Sequence, residues 1–177
     1  MGAIRVVPLP GAGAPALESL LSALQDAFHL EVELAEPLLE VQTAYDASRD
    51  QYGSRALLAA LLQERADGAG RVLGVTALDL FVPVLTFVFG EAQLGGQAAV
   101  VSTFRLESSF YGLPGDGVLL QERLEKEAIH ELGHTYGLLH CQDTRCVMRS
   151  STYVEEIDLK DFGFCMRCAR HLTKADS

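Results

Sequence analysis

The stretch HELGHTYGLLHC, residues 130–141, brings together side chains that bind metals and side chains that move protons. On a helix, His130 and His134 would lie one turn apart on the same face, where two neutral imidazoles can bind one zinc ion. Glu131 would be turned about 100° away from His130, so its carboxylate could act as a general base on a metal-activated water without becoming a ligand. The spacing therefore predicts a catalytic use of this helix.

Gly137 is the residue at which this helix is predicted to end. Glycine enters the left-handed conformation at low cost, and the resulting turn would bring His140 back as a third ligand. Three protein ligands leave one position for water, which is typical of catalytic rather than structural zinc. An alternative third ligand is a glutamate from a later helix, either Glu155 or Glu156, but that arrangement gives Gly137 no purpose.

All four cysteines follow the histidine motif, and their spacing indicates a second metal site. Cys141 and Cys146 form one close pair, and Cys165 and Cys168 form a C-x-x-C pair further along the chain. Two such pairs can fill all four positions of a tetrahedral zinc ion, which would then be structural and would contribute folding free energy. Two disulfides are the alternative. Because His140 and Cys141 are neighbours, loss of the structural metal is expected to displace the third histidine as well.

The elements that must position these groups follow from the hydrophobic pattern. Strands are expected at residues 3–9, 31–34, 71–78, 86–90 and 97–104, and helices at residues 15–29, 54–66 and from Val118 into the histidine motif. The order βαβαβ, followed by two further strands, indicates an α/β fold. We therefore divide the chain into an N-terminal α/β subdomain, residues 1–137, which carries the zinc-binding helix, and a small C-terminal subdomain, residues 138–177.

The composition excludes several classes of protein. Of the 177 residues, 49% are hydrophobic and 21% are charged, which is typical of a globular chain rather than a disordered one. A net charge of −10 argues against a nucleic-acid partner. The most apolar segment, residues 76–90, is interrupted by Asp79 and Pro83, and its uncharged remainder is too short to span a membrane. The chain shows no export signal, so we expect a cytoplasmic location, where cysteines bind metals more often than they form disulfides.

The histidine motif, the C-x-M sequence at Cys146-Val147-Met148 and the later FCMRC together resemble the archaemetzincins, a branch of the metzincin zinc metallopeptidases. The segments LGVTALDLFVPVLTFVFGEAQ and AAVVSTFRL also resemble that family, so the likeness extends over essentially the whole chain. It implies a mixed, mostly parallel sheet flanked by helices, with the zinc-binding helix under a cleft. It implies the same metal ligands and general base as the spacing does, and it makes Met148 the Met-turn residue beneath the histidines.

The function that follows is hydrolysis of peptide bonds by a water that zinc activates, with Glu131 as general base and acid. Two zinc ions per chain are expected, one catalytic and one structural. The substrate would be a peptide or protein bound in extended form by a monomer, along an edge strand for which residues 86–93 are the candidate. The alternative is a zinc-stabilised peptide-binding module with little or no turnover, which the presence of Glu131 disfavours.

Overall fold

The computed structural model describes residues 2–64 and 70–175. The strands of these residues are β1 (Ile4–Pro8), β2 (Val32–Leu34), β3 (Tyr45–Asp46), β4 (Gln51–Gly53), β5 (Arg71–Thr76), β6 (Leu80–Phe81), β7 (Gly90–Ala92) and β8 (Ala98–Ser102). The helices are α1 (Ala14–Phe28), α2 (Ser54–Gln63), α3 (Gly117–Thr135), α4 (Val154–Asp158) and α5 (Met166–Ala175).

A five-stranded sheet forms the centre of the fold, with the strand order β2-β1-β5-β8-β7. The first four of these strands are parallel to one another, and β7 runs antiparallel to β8 at the edge. The prediction of a mixed, mostly parallel sheet flanked by helices is therefore confirmed. The edge position of β7 means that one side of this strand has no neighbouring strand in the sheet.

Both faces of the sheet are covered, and the side chains alternate between two layers of core. Helices α1 and α3 pack on one face, against residues such as Val6, Leu73 and Val101. Helix α2 packs on the other face, against Val72 and Val100. The apolar strands that the sequence predicts at the centre of the chain are thus buried on both sides.

The loop before β7 differs from the prediction of a strand at residues 86–90. Only Val88 of this segment makes a bridge, to Leu80, and the regular strand begins at Gly90. The Arg49 guanidinium donates to the carbonyl oxygens of Pro83 and Leu85 at 3.2 Å, and the Gln51 amide donates to that of Thr86 at 3.0 Å. Side chains therefore donate to backbone carbonyl oxygens that would accept hydrogen bonds from a neighbouring strand in a regular sheet.

Two further differences concern the region around α2. A small second sheet, with the order β3-β4-β6, lies outside the predicted elements. The second helix was predicted over residues 54–66 and ends at Gln63, while residues 65–69, which include the end of the predicted helix, lie outside the described residues. None of the helices in the described ranges is both long and apolar enough to cross a membrane.

The C-terminal segment packs on the same core as the rest of the chain. Val147, Met148 and Ile157 are fully buried in the cluster that also contains residues of α1 and α3. The ring of Phe164 makes an edge contact with Phe28 of α1, with ring centroids 5.6 Å apart. The boundary at residues 137 and 138 stays a prediction. The C-terminal segment nevertheless packs against α3, and this packing places residues of the segment next to the histidine motif.

Candidate metal centre

Helix α3 carries the first two histidines into the interior of the protein. The helix begins after Asp116, whose carboxylate accepts a hydrogen bond from the Leu119 N–H at 3.0 Å. It ends as predicted at a glycine turn, where Gly137 has a φ of +84° and donates its N–H to the His134 carbonyl at 2.9 Å. The chain then reverses direction and presents His140 to the end of the helix.

The three imidazoles converge on one point. The ring centroids are 4.7 Å apart for His130 and His134, 5.4 Å for His130 and His140, and 5.0 Å for His134 and His140. One nitrogen from each ring lies within 4.8 Å of the others, so the three could hold one metal ion. The sequence prediction that these residues meet is correct.

The hydrogen bonds of the ring nitrogens fit a cation at this point. The Nδ1 atom of His130 donates to the Val147 carbonyl at 2.8 Å, and that of His134 donates to the Leu138 carbonyl at 2.6 Å. A carbonyl only accepts, so in the neutral rings the Nε2 atoms carry lone pairs. These two Nε2 atoms face each other at 3.1 Å. Two lone pairs repel at that distance, and a metal ion between them would remove the repulsion.

Burial keeps these rings in the neutral form that a metal requires. Burial, with the Lys160 ammonium as the next cause, lowers the pKa of His130 well below its ordinary value. Burial also lowers the pKa of His134 and of the more exposed His140. The donor set is therefore chemically ready to bind a divalent cation near neutral pH, and three imidazoles suit zinc.

Glu131 lies beside the histidines on the wall of a cleft of about 520 Å³. Its side chain packs on strand β7, where a Cβ added to Gly90 would lie only 2.7 Å from Glu131 Cγ. Burial, and after it the nearby charge of Glu127, raises the pKa of Glu131 well above its ordinary value. A carboxylate in this setting binds a proton more readily than one in water does.

The glutamates considered as alternative third ligands lie elsewhere. Glu156 accepts a hydrogen bond from the Tyr153 N–H at 3.0 Å at the start of α4. Among the described residues that line the cleft, neither Glu155 nor Glu156 is present, whereas His140 is. The geometry therefore favours His140.

Met148 lies beneath the histidine helix and is fully buried. A Cβ added to Gly133 would approach the Met148 sulfur to 2.5 Å, so this close packing requires a glycine in the middle of the motif. The resemblance implies an apolar floor at Met148, and the contact with Gly133 agrees with it. No role for Gly133 was predicted from the sequence, although a glycine inside a helix is itself a signal of close approach.

The four cysteines form a second cluster next to the first. Their sulfur atoms lie within 4.8 Å of one another, and the sulfurs of Cys141 and Cys165 are 3.7 Å apart. Zinc bound to four sulfurs at about 2.3 Å needs sulfur pairs about 3.8 Å apart, so the cluster has the dimensions of a tetrahedral site. No disulfide joins these four cysteines, so the geometry favours the metal site over the disulfide alternative.

The Cys141 thiol is prepared for deprotonation. Burial opposes ionisation, but hydrogen bonds from the Asp143 backbone N–H and from the Arg167 guanidinium, at 3.3 Å, help to lower the pKa of Cys141 to about 7. The Cys141 N–H also donates to the Met148 carbonyl at 2.9 Å. The cysteine cluster is therefore tied to the floor of the histidine centre as well as to His140.

A buried ion pair at the cleft was not predicted from the sequence. The Lys160 ammonium donates to Glu127 at 2.9 Å, and the two side chains are 0% and 5% exposed. Glu127 lies one turn before Glu131 on α3 and lines the same cleft. The two partners are 33 positions apart in the chain, and no local pattern connects them.

Comparison with known proteins gives a consistent result. The family model described as Peptidase family M54 matches residues 32–174. The chain is 39% identical to an archaemetzincin of Pyrococcus abyssi, over 98% of this chain and 96% of the relative, and 45% identical to one of Methanocaldococcus jannaschii, over 73% and 70%.

Solved structures resemble this fold closely. The crystal structure of an archaemetzincin from Archaeoglobus fulgidus superimposes with a TM-score of 0.82 at 38% identity, covering 96% of this chain and 99% of the other. A zinc-dependent peptidase from Methanocorpusculum labreanum superimposes with a TM-score of 0.85 at 27% identity, covering 96% and 99%. The likeness thus extends over nearly the full length of both chains.

Proposed function

Because this chain belongs to Peptidase family M54, the archaemetzincins, and is a zinc metallopeptidase, we propose that Glu131 is its general base and acid in the hydrolysis of peptide bonds. The observation that carries this proposal is the position of a buried carboxylate beside three converging imidazoles in one cleft. A peptidase of this type needs a metal site with a free position and a proton acceptor next to it.

His130, His134 and His140 would hold the catalytic zinc ion through one ring nitrogen each. When bound, zinc supplies Lewis acidity, which polarises the scissile carbonyl and makes water a better nucleophile near neutral pH. The carbonyls of Val147 and Leu138 orient the first two rings by accepting their Nδ1 protons. Met148 supports the helix from below and is not a ligand.

Glu131 would perform both proton transfers. Its carboxylate takes a proton from the attacking water and then delivers it to the leaving amine. The raised pKa of Glu131 suits the first step, because a carboxylate with a higher pKa is a stronger base. Burial of its side chain, 6% exposed, keeps bulk water from competing for the proton.

The substrate would be a peptide in extended form, bound along β7. This strand pairs with β8 on one side only, so its other side offers backbone groups to a peptide strand. Gly90 of β7 lies against Glu131, and its missing side chain leaves room for the Glu131 side chain beside the strand. We propose that the second zinc ion is held by the four cysteines and is structural.

The test is a single substitution with a matched control. Glu131→Gln should lower peptide hydrolysis by about 10²–10⁴-fold, the usual contribution of a general base, while the zinc content stays at the wild-type value. Glu122→Gln makes the same chemical change at an exposed position of the same helix and should leave the rate unchanged. Activity is measured with a mixed peptide library whose products are sequenced, and zinc is measured by elemental analysis. A Glu131→Gln variant that cleaves at the wild-type rate removes Glu131 from this role.

A further inference from the structure

Glu127 is a second carboxylate in the cleft, and the proposed mechanism gives it no task. It precedes His130 by three positions on α3, a spacing that places the two side chains on neighbouring parts of the helix surface. It lines the same cavity as the three imidazoles and Glu131. Burial lowers the pKa of His140, the Lys160 charge lowers it further, and the Glu127 charge raises it. Glu127 is therefore within electrostatic reach of His140 and of Glu131.

A carboxylate at such a place is a natural fourth ligand for zinc. Glutamate oxygens are zinc ligands, as imidazole nitrogens are, and a zinc ion with four protein ligands is closed to water. Three imidazoles and one free glutamate would thus form a saturated site. An active centre with this composition needs something that keeps the glutamate away from the metal.

Lys160 is the side chain in contact with Glu127. Its ammonium lies 2.9 Å from Glu127 Oε1, and the lysine side chain is fully buried. A charged pair in this environment is strongly held, because separating it would leave two uncompensated charges away from water. The pair therefore fixes the direction of the Glu127 carboxylate.

Lys160 is itself fixed to the histidine helix through α4. The Lys160 N–H donates to the Ile157 carbonyl at 3.2 Å, directly after α4 ends. Helix α4 is fastened to α3 by the paired hydrogen bonds of Arg123 with Asp158, at 2.7 and 2.8 Å. The Lys126 ammonium adds hydrogen bonds to the carbonyl oxygens at the end of α4, at 3.2 Å for Asp158. The ammonium of Lys160 is thus held in register with Glu127.

We propose that Lys160 is a positioning residue that holds Glu127 out of the metal coordination sphere, so that the position needed by water and substrate stays open. This inference rests on the proposed function, since it requires a metal ion at the three histidines. It assigns a purpose to a buried ion pair that is otherwise a poor source of stability.

The experiment uses cobalt as a spectroscopic replacement for zinc, because three-imidazole sites accept it. Lys160→Met should bind cobalt at the histidine centre about tenfold more tightly than the wild type, with a changed visible absorption spectrum. Its kcat should fall by about tenfold or more, because Glu127 would take the open position at the metal. Its KM should change little, because strand β7, which we propose binds the peptide, is unaffected. The double variant Lys160→Met/Glu127→Leu has no fourth ligand and should regain the wild-type cobalt affinity and spectrum.

Arg105→Ala is the matched structural control. It breaks a partly buried ion pair with Asp79, which does not line the cleft, so it should lower the unfolding temperature and leave the cobalt spectrum unchanged. If Lys160→Met does not fold, Lys160→Gln replaces it, and the proposal predicts tighter cobalt binding than in the double variant.

The outcomes separate this inference from the proposed function. Wild-type cobalt affinity and spectrum in Lys160→Met, in a wild type that binds cobalt and cleaves peptides, overturn the inference and leave the proposed function standing. If Lys160→Met lowers kcat without changing the cobalt spectrum, and the double variant does not recover kcat, the role of Lys160 is purely structural. This outcome also overturns the inference. A wild-type protein that binds no cobalt at the histidines overturns both proposals.

Discussion

The histidine centre and the cysteine cluster occupy adjacent positions in the chain, at His140 and Cys141, but they differ in almost every physical respect. The histidine centre opens into a cleft and has carboxylates next to it. The cysteine cluster consists of four sulfurs, three of which belong to buried residues. The first site brings together three candidate ligands and the second brings together four. The number of ligands and the groups around them, rather than their place in the sequence, thus distinguish a site for chemistry from a site for stability.

The shared segment also couples the two sites. The Cys141 N–H binds the Met148 carbonyl, and Met148 packs beneath Gly133 at the end of the histidine helix. A change at the cysteine cluster should therefore reach the histidines, whereas a change at the exposed His140 has little fold to disturb. The coupling is expected to act mainly in one direction.

The largest expected effect is that of Cys165→Ser. A structural zinc site contributes on the order of 10 kcal/mol to folding, so loss of one ligand should unfold or strongly destabilise the C-terminal segment. Zinc content should fall below one ion per chain, because His140 moves with Cys141. Elemental analysis and thermal unfolding measure both quantities, and Met166→Ser, at an exposed neighbouring position, is the control. Full occupancy of the histidine centre in Cys165→Ser would contradict the coupling.

His140→Ala should affect activity strongly and stability only weakly. It removes one ligand from the histidine centre, so peptide hydrolysis should be lost and the zinc content should fall from two ions to one. The free energy of unfolding should change far less than in Cys165→Ser, because the cysteine cluster is intact. Leu139→Ala changes the adjacent exposed residue and should affect neither property. Equal destabilisation by His140→Ala and Cys165→Ser would remove the distinction between the two sites.

Gly133→Ala tests the floor between the sites. The added methyl group would meet the Met148 sulfur at 2.5 Å, and such overpacking typically costs about 1–3 kcal/mol. Chemical denaturation should show this loss, together with a smaller loss of activity as His134 shifts. Gly117→Ala, at the open start of the same helix, has nothing within 4 Å and should be neutral or stabilising. A neutral Gly133→Ala variant would show that Met148 can move aside freely.

The smallest effect is a difference in proton release on zinc binding at pH 7. Since burial lowers the pKa of His130 and His134, these rings are already neutral and should release almost no protons. Burial raises the pKa of Cys146 and Cys168, so these thiols must each lose a proton, and Cys141, with a pKa of about 7, loses a fraction of one. Calorimetry in buffers of different ionisation enthalpy should therefore give about two or more protons for the cysteine cluster. Similar values for both sites would contradict these pKa directions.

The seven metal-binding candidates could be identified from the sequence because their arrangement is local. A helical period places His130 and His134 on one face, and a single glycine turn returns His140 to them. The cysteines follow within a few residues of these groups or of one another. The order of strands and helices indicated an α/β fold, and the family resemblance implied the mostly parallel sheet.

The rest depended on contacts between distant segments, which periodicity does not contain. The apolar pattern of residues 86–90 predicts a strand. However, Gln51 and Arg49, some 35 positions earlier, donate hydrogen bonds to the carbonyl oxygens of Thr86 and of the preceding residue, Leu85. No local pattern distinguishes Glu127 from an ordinary charged position on a helix, and its partner Lys160 lies 33 positions away. A single sequence gives no signal for either contact, because each partner is common in its own local setting.

The shortness of β7 has a consequence for how the molecule behaves among its own copies. An unpaired strand edge can pair with the same edge of another copy, and natural sheets limit this risk by keeping such edges short. Here the edge spans only Gly90–Ala92, and the chain then folds back so that the Gly95 N–H is taken by the His134 carbonyl. This short edge limits the number of backbone hydrogen bonds that a second molecule could form with β7. If a peptide binds along β7 as we propose, the same short edge would hold it by few backbone hydrogen bonds, and we expect the cleaved product to dissociate readily.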